Sequence, residues 1–335
     1  MTVITTSDYH TGGEPFRIVT GGVPALEGRS VPERRRWAAE NVDHVRQLLV
    51  NEPRGHADMY GGFVTPPDDG DGDVGVVFFH NEGYSTACGH GTIALVTWAI
   101  ESGRVVAPPG AREVPVVVDV PSGRLGCTAQ MDGRGRVEAV AFRNVPSFVL
   151  ASDVRVETGR GTLSLDVAFG GAFYGSLDVR EVGLRVEPQA LPELIALQRE
   201  LRPALERALG VEHPERPDLA GIYGIIFWES VEDTMPSQRN VTVFADGEVD
   251  RSPCGSGTSA RLAILHERGD LGAGAILRHR SIVDSVFEGR VVGPGPAIGG
   301  FPTVFTEIEG AAFRTGQHTF TLDSRDPLGT GFLLR

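Results

Sequence analysis

Two distant segments of this chain spell nearly the same thing: CGHGTIA at 88–94 and CGSGTSA at 254–260. Each runs into a helix-forming stretch that closes on a glycine fifteen positions after the cysteine, Gly103 in one case and Gly269 in the other. One copy would constrain little. A repeated motif with the same trailing geometry reads as two halves of similar design, each presenting a thiol in the same way. The length agrees, because 335 residues exceed what a single hydrophobic core usually serves and suggest two domains of roughly 150 residues each.

Composition removes several classes. The formal charge of −13 argues against nucleic acid or an anionic membrane as partner. No apolar run approaches the roughly 18 residues of a membrane span, and the first residues, with Asp8 and His10, lack the apolar core of a signal peptide. Three cysteines, Cys88, Cys127 and Cys254, fit free thiols in a reducing cytoplasm. All 31 basic residues are arginine, so neither a pyridoxal-phosphate lysine nor a P-loop lysine exists.

Along the chain, TVITT and FRIVTGG read as strands, and Ser30-Val31-Pro32-Glu33 as a capping-box helix start. Trp37, Val42, Val45, Leu48 and Leu49 continue that helix toward Pro53, with the arginines at 34–36 on a solvated face. Residues 74–79 read as a buried strand leading to the first thiol loop, and 92–102 as a helix. Short β runs fill 113–182, a helix fits 188–208, and strands at 222–228 and 240–245 precede the second loop and a helix at 258–268. The division falls near 140, giving halves of 1–140 and 141–319, with a terminal strand at about 320–335 returning to the first.

A Cys-Gly-x-Gly-Thr turn opening a helix has two consequences. Backbone N–H groups at the helix start form a site for an anion such as a carboxylate. The positive end of the dipole favours thiolate at a neighbouring cysteine. Two such loops serving one carbon suit removal of a proton from one face and its return to the other, with the two sulfurs in opposite protonation states and coupled titrations.

The segments HTGGEP (10–15), EPRGHADMYGG (52–62), ACGHGTIA (87–94), DVAFGGAFY (166–174) and DRSPCGSGTSA (250–260) resemble the proline racemase superfamily over nearly the whole chain. That group holds proline racemases, 4-hydroxyproline 2-epimerases and trans-3-hydroxy-L-proline dehydratases. The resemblance implies an α/β (α+β) diaminopimelate-epimerase-like fold. Each half would be a curved, mostly antiparallel sheet around a central helix, with the site in the interdomain cleft and no cofactor or metal. It implies that Cys88 and Cys254 are the acid/base thiols, and that Gly89, His90, Gly255 and Ser256 hold the substrate carboxylate. It also implies that Asp250 meets the ring ammonium and that Tyr60 forms an aromatic wall. Ser256 stands where threonine is commoner, and His90 is followed by Gly91-Thr92, as in many epimerases. HNEGYS (80–85) and the ending LGTGFLLR look closer to dehydratases, whose second thiol is replaced by threonine.

Cys254 decides for inversion at Cα of proline or a hydroxyproline, with dehydration of trans-3-hydroxy-L-proline as the alternative. The partner is a small-molecule substrate, and a homodimer is weakly favoured. Cys127 reads as a small buried hydrophobe, and His10 and His56 as turn neighbours or cleft residues. Two rival classes remain: GSGTSA resembles a dinucleotide fingerprint, and Cys88, His90, Cys254 and Asp250 are acceptable zinc ligands.

Overall fold

The structure is a computed structural model that describes residues 2–334. It divides into two compact units, the first running to Phe142 and resuming at Ala311, the second Arg143–Gly310.

In chain order the first unit contains β1 (Thr2–Thr11), β2 (Glu14–Gly21), α1 (Val31–Asn41), α2 (Asp43–Val50), β3 (Tyr60–Thr65), β4 (Val74–His80), β5 (Gly83–Tyr84), α3 (Gly89–Glu101), β6 (Glu113–Val120) and β7 (Gly123–Met131). β8 (Val137–Arg143) ends at the division. The second unit contains β9 (Phe148–Thr158), β10 (Gly161–Phe169), β11 (Phe173–Asp178), α4 (Leu191–Ala208), β12 (Glu212–His213), β13 (Arg216–Ala220), β14 (Ile222–Ser230), β15 (Ser237–Phe244), β16 (Glu248–Asp250), α5 (Gly255–Glu267), β17 (Leu277–Arg280), β18 (Val286–Pro294) and β19 (Val304–Gly310). The chain then re-enters the first unit as β20 (Ala312–Leu322), antiparallel to β1.

The strands of the two units share one pairing pattern. From β20 through β1, β2, β3, β4 and β6 to β7, the pairs run antiparallel, antiparallel, parallel, antiparallel, parallel, antiparallel. From β9 through β10, β11, β14, β15 and β17 to β18, the same sequence of pairings recurs. The repeat seen in the thiol motifs is therefore a repeat of whole architecture.

The strands of each unit gather around one helix. α3 touches β1, β2, β3, β6, β7 and β20, and α5 touches β9, β10, β11, β18 and β19, so each helix is met by strands from both ends of its sheet. Every residue of α3 from Gly89 to Thr97 is buried, as is every residue of α5 from Gly255 to Leu265. A helix apolar or small on all sides belongs in a core rather than on a surface, and Ile93-Ala-Leu-Val and Leu262-Ala-Ile-Leu supply that character.

Three sequence expectations change. The helix expected to run toward Pro53 breaks at Val42 (φ −127°) into α1 and α2. Ser30 caps α1, but the Glu33 carboxylate accepts from the Arg29 N–H, so the capping box is shifted by a residue. Arg34 is not solvated: it is buried and donates to the carbonyls of Gly28 (3.1 Å) and Pro66 (2.7 Å), closing the turn before α1.

Arg17 fastens the strand that leaves the HTGGEP turn. It pairs with buried Asp8 on β1 at 2.8 Å, donates to the carbonyls of Leu49 and Arg54, and lies 4.3 Å over the Phe320 ring. Replacing one member of a buried ion pair leaves the other charge unanswered, so Arg17→Met is expected to cost about 3–5 kcal/mol in urea unfolding. The double variant Asp8→Leu/Arg17→Met is expected to cost less than Arg17→Met alone.

Candidate active site

The sequence reading starts the two central helices at 92 and 258, but both begin at the thiol. Cys88 and Cys254 are the N-cap residues of α3 and α5, and the glycines that looked like loop adopt helical geometry. Intrahelical bonding to each cap carbonyl begins with Thr92 N–H on Cys88 O (2.9 Å) and Thr258 N–H on Cys254 O (2.7 Å). The N–H groups of Gly89 and His90, and of Gly255 and Ser256, therefore lie ahead of the first such bond, where an anion is favoured. Neither helix has an acidic residue in its first turn to compete.

The second glycine of each motif has a steric reason. A Cβ on Gly91 would stand 2.7 Å from the Cys88 sulfur and 2.5 Å from Phe16; on Gly257 it would stand 2.9 Å from the Cys254 sulfur. No side chain fits between the first helical turn and the thiol.

In the first unit, Cys88 Sγ accepts from the Gly91 N–H at 3.2 Å and lies 3.6 and 3.5 Å from the two ring nitrogens of His90. His90 is buried, and the Thr11 hydroxyl donates to its carbonyl at 2.9 Å. Tyr60, at the start of β3, meets the His90 ring edge-on at 4.9 Å, and its hydroxyl donates to Ser85 Oγ. Phe16 meets the same imidazole at 5.9 Å. Cys88, His90 and Tyr60 are thus brought together, with Phe16 as an unforeseen fourth member.

In the second unit, Asp250 ends β16 and is joined to the thiol loop by two bonds. Its Oδ1 accepts from Ser252 N–H (2.8 Å), and Ser252 Oγ accepts from Cys254 N–H (3.1 Å). Cys254 has φ +63° and ψ 99°, a conformation costing a non-glycine residue about 1–3 kcal/mol, whereas Cys88 is extended at φ −155°. Ser256 Oγ lies 4.0 Å from the Cys254 sulfur and 2.7 Å from the Tyr174 hydroxyl. Tyr223 packs edge-on against Tyr174 at 5.8 Å. Cys254, Gly255, Ser256 and Asp250 are thus together, with Tyr174, Tyr223 and Ser252 unforeseen.

A sequence signal existed for the missed aromatics. Phe16 and Tyr174 each stand three residues after the second glycine of a GG turn, at Gly13 and Gly171, and Tyr60-Gly61 matches Tyr223-Gly224 on the equivalent strands. The two turns also support the helix starts alike: Thr11 binds His90 O, and a Cβ on Gly170 would strike Ser256 O at 2.3 Å.

Burial, reinforced by the Asp250 carboxylate, pushes the Cys254 thiol up to about 12. The Gly257 N–H and neighbouring hydroxyls pull the other way and do not prevail. At Cys254 burial therefore outweighs the helix dipole and favours the thiol form. Burial also pushes Asp250 up to about 6 and holds the Tyr174 phenol well above its ordinary range. Cys127 is buried on β7, His56 is exposed with Nδ1 beside the Ala57 carbonyl, and His10 Nδ1 accepts from Gly13 N–H. Among the described residues no group of three or more His, Cys, Asp or Glu side chains has metal-binding geometry.

A sequence model of the proline racemase family matches residues 6–333. The chain belongs to the proline racemase family. It is 47% identical to a 3-hydroxyproline 2-epimerase of Burkholderia multivorans, covering 99% of this chain and 98% of that protein. It is 45% identical to a trans-3-hydroxy-L-proline dehydratase of Bacillus thuringiensis, again over 99% and 98%. A solved hydroxyproline epimerase from Agrobacterium vitis with bound trans-4-OH-L-proline superposes with a TM-score of 0.91 at 32% identity, covering 99% and 96% of the two chains. The fold is that of the proline racemase family, mixed α/β with mostly antiparallel sheets and few helices.

Two predictions follow from the geometry of this proline racemase homologue. Gly91→Ala and Gly257→Ala force the thiol or the helix start to move, so each is expected to lower kcat about 100-fold while costing only about 1–3 kcal/mol of stability; steady-state kinetics beside thermal melts checks this. Asp250→Asn removes a buried charge. Because the folded pKa lies above the unfolded one, the stability this carboxyl contributes is present below about pH 4 and lost as pH rises through about 6. The variant is therefore expected to gain up to about 3 kcal/mol at pH 8 and almost nothing at pH 4 in urea melts. Iodoacetamide labelling of Cys254 at pH 8, followed by mass spectrometry, should accelerate in the same variant.

Proposed function

We propose that the protein is a cofactor-independent epimerase inverting Cα of a hydroxyproline or proline, with Cys88 and Cys254 as its two acid/base groups. The observation that carries this is the matched placement of the two thiols, each the N-cap of a helix whose first nine or more residues are buried, at the same point of a repeated strand pattern. One sulfur takes the Cα proton as thiolate and the other, as thiol, returns a proton to the opposite face. Cys254, held protonated, is the donor of the resting enzyme; the reverse reaction starts from the other thiol tautomer.

The first-turn N–H groups of Gly89, His90, Gly255 and Ser256 receive the substrate carboxylate, whose negative charge suits a helix start. Bound there, it also spreads the charge of the carbanion as that forms. Asp250 takes the ring ammonium, a partner that offsets the cost of keeping a carboxylate in the interior. Tyr60 acts through His90, whose ring it orients. The relatives named for 3-hydroxyproline favour that ring over unsubstituted proline.

A second reading rests on a specific likeness, the 45% identity to a trans-3-hydroxy-L-proline dehydratase. In that reaction the carbanion expels hydroxide from C3 instead of taking a proton, giving a pyrroline. Three free buried cysteines support a reducing, cytoplasmic setting, and no helix among the described residues is long and apolar enough to cross a membrane. We also propose a homodimer.

The test incubates the enzyme in D2O with L-proline, trans-4-hydroxy-L-proline and trans-3-hydroxy-L-proline separately. The expected result is chiral inversion with solvent deuterium at Cα, fastest with a hydroxyproline. Cys88→Ser and Cys254→Ser should each lower inversion by about 1000-fold or more. Near-native turnover by either variant would refute the two-thiol scheme, and a pyrroline product without inversion would establish the dehydratase.

A further inference from the structure

The repeated threonine of the two motifs does not do the same thing in both units. Thr92 Oγ1 donates to the carbonyl of Cys88 itself, at 2.8 Å, a local bond within the first turn. Thr258 Oγ1 reaches one residue further back, donating to Pro253 O at 3.1 Å, and on its other side meets His279 Nδ1 at 2.8 Å. His279 lies on β17, in a different segment, and both it and Thr258 are fully buried. The equivalent strand of the first unit, β6, carries no histidine.

The hydrogen count fixes the direction of this relay. A carbonyl can only accept, so the single hydroxyl proton of Thr258 goes to Pro253 O. The Thr258 oxygen must then accept from His279, which is the Nδ1–H tautomer. Nε2 is left as a bare lone pair; it is buried and meets no hydrogen-bond partner among the described residues. A protonated ring would have a donor there with nothing to receive it. Burial, aided by the Arg261 guanidinium, pushes this imidazole down to about 3, so it is neutral throughout the working range.

Pro253 immediately precedes the residue whose backbone is left-handed, Cys254 at φ +63°. Holding the Pro253 carbonyl fixes the peptide plane on the N-terminal side of that residue, while Thr258 N–H holds the Cys254 carbonyl at 2.7 Å on the other. One threonine thus clamps both peptide planes of the thiol residue, and the histidine sets the rotamer of the clamp. We infer that His279 is a positioning residue for the second thiol, acting through Thr258 and the Pro253 carbonyl to hold Cys254 in its left-handed conformation. The role in turnover rests on the two-thiol reading; the conformational role does not.

The test uses His279→Leu and Thr258→Val, which remove the relay. Their controls are His279→Asn, which places an amide N–H near the former Nδ1, and Thr258→Ser, which keeps the hydroxyl. Iodoacetamide labelling read by mass spectrometry is expected to quicken about fivefold or more at Cys254 in the disruptive pair, with Cys88 within about twofold. With trans-3-hydroxy-L-proline as probe, kcat should fall about 30-fold or more with KM within about threefold, and the two conservative variants should stay near the parent. Nitrogen-15 NMR of labelled histidine should show a His279 protonated at Nδ1 only, and the opposite tautomer would overturn the inference. Equal changes at both cysteines, or no difference between His279→Leu and His279→Asn, would overturn it too. If His279→Leu does not fold, Thr258→Val carries the same comparison. A Cys254→Ser enzyme of native activity would overturn the two-thiol reading alone, since the labelling asymmetry would still report the clamp.

Discussion

A helix that is buried on every side must still answer the N–H groups of its first turn, and in this protein that requirement organises everything near the chemistry. On a surface, water would meet them. Inside, each donor left without a partner costs about 1–3 kcal/mol. α3 answers one of them with a cysteine sulfur, which accepts from Gly91 N–H at 3.2 Å. Both helices close the carbonyl side with threonines at the fourth helical position, Thr92 and Thr258. The donors of the two residues after each cysteine are then the natural place for a carboxylate. An anion bound there would sit ahead of the first intrahelical bond, where the helix start favours negative charge.

The same architecture appears in both units, yet the chemistry around the two sulfurs diverges position by position. Where the first unit sets an imidazole two residues after the thiol, the second sets a hydroxyl: His90 against Ser256. Where the first packs Phe16 beside that residue, the second packs Tyr174 and gains a 2.7 Å hydroxyl contact. The carboxylate of Asp250, two bonded steps from Cys254 N–H, has no counterpart among the first-unit site residues described above. These changes leave the pairing order of the strands intact: Phe16, Tyr174 and Asp250 all hold ladder positions, and what differs is the side chain each presents. A duplicated scaffold can in this way surround two thiols of the same placement with different neighbours.

Much of this was legible in the chain. Cys88 and Cys254, the glycine that ends each helix and the two-half design follow from the repeat, because glycine-rich helix starts leave a local signature. The exact start of the helices did not: Gly89-x-Gly91 has the composition of a loop, and only burial of the whole segment makes it helix. Arg34 reads as solvent-facing beside Arg35 and Arg36, and its burial depends on the carbonyls of Gly28 and Pro66, which no periodicity reports. Tyr174 and Phe16 were missed although their offset from a GG turn is shared, since an aromatic residue in a strand ordinarily means core. The raised Cys254 thiol was not legible for a different reason. Helix dipoles are local and readable, while desolvation is a property of the finished interior.

That last point bears on how the second unit is balanced. Asp250 and Cys254 are both interior groups whose charged forms the fold disfavours, and Cys254 also adopts a costly backbone conformation. A sequence selected for stability alone would place an apolar residue or an asparagine at 250 and a glycine at 254. Retaining an acid and a thiol there is intelligible if a ligand brings a cation to the carboxylate and an acidic carbon to the sulfur. An amino acid carries both of these, together with the carboxylate that the helix starts require. The strain and the burial are then not separate defects but two requirements met by the same small molecule, and the rigid threonine clamp is what keeps the thiol waiting in the conformation that meets it.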